Sequence, residues 1–90
     1  MKMIREVVFE LINEERDYQD TRWTSETTTS GGLHSWEEWL TYIADYVQEA
    51  QHILSRESKQ NAHARVGANM RKIAAMAVCA MEQHGAPSRQ

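Results

Sequence analysis

The chain has one cysteine, one proline and four glycines in 90 residues, and each scarcity removes a class of protein. Cys79 stands in an apolar segment without CxxC or Cys/His spacing, which leaves neither a disulfide framework nor a structural zinc site. Gly31-Gly32 stands alone, so there is no glycine-rich phosphate loop, and serine, histidine and acid show no spacing that suggests a hydrolytic triad. Internal repeats are absent. An apolar run of the ~18 residues needed to span a bilayer is also missing. The start, Met1-Lys2-Met3-Ile4-Arg5-Glu6, is amphipathic and acidic rather than a signal peptide, which leads to the expectation of one cytoplasmic domain over 1–90.

The net charge of −3 conceals an asymmetry. Residues 1–50 carry 11 acids and 4 bases, whereas residues 51–90 carry 2 acids and 6 bases. Such halves favour packing on each other, within or between chains, and leave a basic region able to hold an anion. The overall acidity speaks against duplex nucleic acid, whose binding needs a wide basic surface.

Periodicity predicts an all-α fold, a small bundle of about three helices over 2–19, 35–56 and 61–84. Ile4, Val7, Val8, Leu11 and Ile12 form one stripe of the first helix. Residues 21–34, rich in Thr, Ser and Gly, read as a long loop that Trp23 and Leu33 pin down in part. Ser35 and Glu38 then have the spacing of a capping box. Helix 2 carries two apolar stripes, Trp36/Leu40/Ile43/Val47/Ala50/Leu54 and a mostly aromatic flank of Trp39, Tyr42, Tyr46 and Ile53, which implies two contacts. Either Ser58 or Asn61 can cap the third helix, which ends at Gly85 with Pro87 blocking continuation and a short flexible tail over 86–90. Within that helix Ile73 to Met81 is nine residues without a polar side chain. Two neighbours cover only part of such a helix, so the expectation is a homo-oligomer built through helix 3, the alternative being a central helix covered within its own chain.

Three groups of residues can carry chemistry. Arg65, Arg71 and Lys72 are candidates for clamping phosphate, because guanidinium offers a planar fork and ammonium a point charge. Trp39 and Tyr42 are candidates for stacking a base, and His34, just before the helix 2 cap, is a further ligand candidate. Asp45 and Glu49, four apart on one helix face, can jointly approach a divalent cation. For each group the plain alternative is structural: surface ion pairs, core aromatics, a solvated histidine and a solvated acidic face.

Glu15-Arg16-Asp17-Tyr18-Gln19-Asp20 with Arg22-Trp23, His34, Trp39-Leu40 and Ile73-Ala74-Ala75 resembles small phage and prophage proteins related to the MazG-like all-α nucleotide pyrophosphohydrolases. That family forms oligomers of four- or five-helix units and binds magnesium through Glu-Glu-x-x-Glu on one helix and Glu-x-x-Asp on the next. The first motif falls on Asp45-Tyr46-Val47-Gln48-Glu49, which keeps the outer acids and has tyrosine in the middle. The second falls on Asn69-Met70-Arg71-Lys72, where both acids are gone and two cations stand instead. Lysine cannot ligate the Mg2+ that such a hydrolase needs, yet it can hold phosphate. The expectation is therefore a phage-type oligomer that captures a nucleotide without cleaving it and with no cofactor, a cyclic defence signal of the kind that small helical phage proteins sequester being one candidate. The alternatives are a Mg2+-dependent nucleoside triphosphate pyrophosphohydrolase using Asp45 and Glu49, and a non-catalytic protein-interaction module.

Overall fold

A computed structural model describes residues 2–22 and 32–89, and its order is α1 (Arg5–Arg22), α2 (Trp36–Arg56) and α3 (Lys59–His84). The all-α, three-helix expectation holds, with no strand among the described residues. None of these helices is long and apolar enough to cross a membrane.

The helix ends follow local chemistry. Ser35 Oγ accepts from the Glu38 N–H at 3.1 Å while Glu38 Oε1 accepts from the Ser35 N–H at 2.9 Å, the reciprocal capping box expected of this spacing. The hydrogen bond from the Ser35 N–H holds the Glu38 carboxyl below the usual range. Because the folded value is the lower one, this contribution is present above the unfolded pKa and is lost as pH falls through the folded pKa. Ser35→Ala is expected to cost about 1 kcal/mol, read as a lower urea midpoint with unchanged slope.

At the other end of α2 only Glu57 and Ser58 separate it from α3, so the two form a tight helical hairpin. Ser58 is the α3 cap residue, and α3 starts two residues earlier than the expected 61. Gly85, at φ 81°, closes α3 by donating its N–H to the Met81 carbonyl at 2.7 Å, a backbone conformation that favours glycine. The first helix is displaced from the expected 2–19 by three residues at each end, so Thr21 and Arg22 belong to α1 rather than to a loop. Trp23 and the rest of 23–31 lie outside the described residues.

The α3 helix is the centre of the molecule. Both α1 and α2 pack on it, and among the described residues they do not pack on each other. Ala75, Met76, Cys79 and Ala80 are buried, Ile73, Ala74, Ala77 and Val78 are half-buried, and Met81 alone of the nine-residue apolar segment is exposed. The apolar segment thus finds its cover within the chain, because its small alanines let two helices approach on different flanks. Trp39, Ile43 and Tyr46 of α2 close over Met76, Cys79 and Ala80, with Ile53 buried further along α2. Burial pushes the Cys79 thiol up, so it remains protonated near neutral pH.

Apolar surface remains elsewhere. On α2 the aromatic flank is the one that packs inward, and Leu40, Val47 and Leu54 of the other stripe are 63, 40 and 56% exposed. The reason is rotational: α3 sits against the side of α2 that carries Trp39, Ile43, Tyr46, Ala50 and Ile53, and one neighbour covers one side of a helix.

Candidate functional site

Four side chains of α1, Glu15, Tyr18, Gln19 and Arg22, share one face at i, i+3, i+4 and i+7. They continue the stripe of Leu11 and Ile12, but with polar residues where the pattern would place core. The result is a polar cleft of about 220 Å³ between this end of α1 and the middle of α3, where Lys72 and Met76 line it, with Tyr46 entering from α2.

Gln19 is 5% exposed, and its Nε2 donates a long 3.5 Å hydrogen bond to the Lys72 carbonyl. Its Oε1 is buried and meets no hydrogen-bond donor among the described residues. The Lys72 ammonium lies 5.7 Å from the centre of the Tyr46 ring. Arg22 donates to Tyr18 Oη at 2.8 Å, and its guanidinium lies 5.8 Å from that ring's centre. Two cations therefore stand beside two phenol rings in one small cleft. Asn69, buried on α3, donates to the Tyr46 carbonyl at 3.3 Å and so ties this turn of α2 to α3.

The acid of the cleft, Glu15, is buried and accepts from Arg71 Nε at 2.7 Å. That pair spends the charge of Arg71 on a carboxylate at the rim, leaving Lys72 to face the cleft. Serine, cysteine and histidine are not among the lining residues. Two cations beside two phenol rings suit holding an anion that carries a flat ring.

The other sequence candidates separate into two places. Trp39 is 1% exposed, with its Nε1 donating to Gln83 Oε1 at 2.9 Å, so it has no open face on which to stack a base. The same Gln83 oxygen accepts from the His34 N–H at 3.2 Å, and Gln83 Nε2 donates to the Gly32 carbonyl at 2.8 Å. The His34 ring meets Trp39 and Tyr42 edge-on at 5.1 and 5.0 Å. His34, Trp39 and Tyr42 are thus brought together, as a latch that fastens residues 32–34 to the end of α3. They are not joined to the basic residues.

Arg65 is ion-paired with Glu57 in a shallow hollow between α2 and α3 that also contains Asp45, Glu49 and Arg56. At ~1.5 Å rise per residue, Arg65 and Lys72 are about 10 Å apart along α3, in different depressions. Among the described residues no group of three or more His, Cys, Asp or Glu is placed to hold a metal ion. Asp45 and Glu49 share their hollow with two arginines, and an acid from helix 1 does not join them because α1 does not pack on α2.

Lys72 and Tyr46 stand out in the sequence as a cation and a helix 2 aromatic, whereas Tyr18, Gln19 and Arg22 appear there only within the segment that carries the family resemblance. The available signal was the α1 stripe itself, which turns from Leu11 and Ile12 to Glu15 and Gln19 without leaving the buried face. Comparison with protein families, with characterised proteins and with solved structures finds no match to this chain.

Proposed function

We propose that this protein binds a nucleotide and holds it without cleaving it, in the cleft of Tyr18, Gln19, Arg22, Tyr46 and Lys72. The observation that carries this reading is the convergence of two phenol rings, Tyr18 and Tyr46, and two cations, Arg22 and Lys72, on one small cleft. Aromatic faces accept a base by stacking, and lysine and arginine hold phosphate. Compared with the expectation from sequence, Lys72 keeps its role, the stacking passes from Trp39 and Tyr42 to Tyr18 and Tyr46, and Arg71 supports the rim through Glu15.

At about 220 Å³ the cleft is below the ~300–1,000 Å³ of typical ligand pockets, so a bound nucleotide is only partly enclosed. A ligand with two bases, such as a cyclic dinucleotide signal, would extend beyond one cleft. Small helical phage proteins that sequester cyclic signals, similar to this chain in size and class, suggest a defence signal as the specific ligand of this proposal. The cations of Asn69-Met70-Arg71-Lys72, where that family carries acids, support binding over hydrolysis.

Calorimetric titration against linear and cyclic nucleotides tests the reading. The expected result is exothermic binding of at least one, recovered intact after incubation with Mg2+; silence across the set sinks it. Release of pyrophosphate that Glu49→Ala abolishes would establish the hydrolase alternative instead.

A further inference from the structure

An acid lines a cleft that otherwise attracts anions. Glu15 stands among the lining residues with Arg22 and Lys72, although a carboxylate repels the phosphate that those cations suit. Its side chain is 9% exposed, and the ion pair from Arg71 Nε to Glu15 Oε1 offsets the cost of burying the charge. That pair leaves the carboxylate able to accept more. Its two oxygens offer about four lone-pair sites, and the bond from Arg71 Nε takes up one. The acid stands at one end of the α1 wall and Arg22 at the other, seven residues on, or about 10 Å along the helix. That separation is comparable with the length of a mononucleotide from base edge to phosphate. Tyr18 and Gln19 lie between the two on the same wall, and Tyr46 enters from α2. A nucleotide lying along α1 with its phosphate at Arg22 and Lys72 presents the edge of its base to Glu15.

We infer, resting on the reading that a nucleotide binds in this cleft, that its base is guanine and that Glu15 selects it. An ionised carboxylate only accepts hydrogen bonds, so it favours the base edge richest in donors. Guanine carries two donors side by side, N1–H and the 2-amino group, which one carboxylate accepts together. Adenine, cytosine and uracil each carry one donor group flanked by a ring nitrogen or a carbonyl oxygen, and that neighbouring lone pair faces the second carboxylate oxygen. The Glu15 charge therefore costs every nucleotide some phosphate attraction and returns it to the guanine compounds alone. A specificity-determining acid accounts for a buried carboxylate in a cleft that suits anions, and the two cations at the far end hold the phosphate of any of them.

Titration calorimetry with guanosine, inosine and adenosine 5′-monophosphates, and with cyclic dinucleotides of guanine and of adenine beside them, is the direct test. Guanosine monophosphate is expected to bind at least about tenfold more tightly than adenosine monophosphate, the discrimination of one good bidentate pair. Inosine monophosphate, which lacks only the 2-amino group, is expected to fall between them. Glu15→Gln keeps the shape of the side chain and replaces an acceptor by a donor. It is expected to bring the guanosine and adenosine compounds to similar affinity, with unchanged helical circular dichroism. The ranking of the wild-type affinities decides even where Glu15→Gln does not fold. Adenine or inosine compounds that bind as tightly as their guanine counterparts, or more tightly, overturn the inference and leave nucleotide binding standing. So does a folded Glu15→Gln chain that keeps the full preference. Failure of every nucleotide to bind overturns both.

Discussion

Trp39→Ala is expected to remove about 3–5 kcal/mol of folding stability, the usual cost of truncating a fully buried tryptophan. Trp39 is the large ring at the centre of the α2–α3 contact, packed with Met76, Cys79 and Ala80. The alanine variant leaves a cavity between the helices. It also removes one of the two donors to Gln83 Oε1 and loosens the latch on residues 32–34. A domain of this size has a total stability of roughly 5–13 kcal/mol, so the variant is expected to be partly unfolded or to unfold at a much lower urea concentration. Trp39→Phe separates the two causes, since it keeps most of the packing and loses the N–H donor. Its expected cost is about 1–2 kcal/mol. If Trp39→Ala costs less than the phenylalanine variant, Trp39 is not the centre of this core.

Lys72→Glu is expected to weaken nucleotide binding about 100-fold, a difference of ~2.7 kcal/mol. In the wild-type cleft the ammonium is held beside the Tyr46 ring with Arg22 as a second cation. Charge reversal replaces attraction for phosphate by repulsion, at a site already containing the Glu15 carboxylate. Arg65→Glu is the matched control, because it makes the same change in net charge in another depression on α3. Its expected effect is under about threefold, the screening of a distant exposed charge. Equal losses in the two variants would mean that general charge, not this cleft, governs binding, and titration calorimetry on both distinguishes the outcomes.

The candidate site was legible in sequence only in pieces. Lys72 was identifiable as one of three basic residues on the third helix, because an ammonium is a point charge that can hold phosphate. Gln19 was not, since a glutamine on an acidic helix reads as solvated until α3 is seen to cover it. Trp36 and Trp39 show the same limit within one helix. Both are tryptophans three residues apart, yet Trp39 is buried and Trp36 is exposed, and nothing in their spacing chooses between them. The three basic candidates looked like one patch because Arg65 and Lys72 nearly eclipse each other down the helix axis. Their distance along that axis, and the partners Glu57 and Glu15 that take up Arg65 and Arg71, separate them.

What the amino-acid order determined by itself was the local structure: three helices, the capping box at Ser35 and the close of α3 at Gly85. Those features arise from contacts between residues a few positions apart, which any stretch of chain carries with it. Only the tertiary structure decided that α3 lies in the middle, that its apolar segment is covered by α1 and α2, and that the uncovered stripe is Leu40, Val47 and Leu54. Burial depends on which helix packs against which, and that is set by contacts between residues 30 to 60 positions apart, such as Trp39 with Met76 and Glu15 with Arg71.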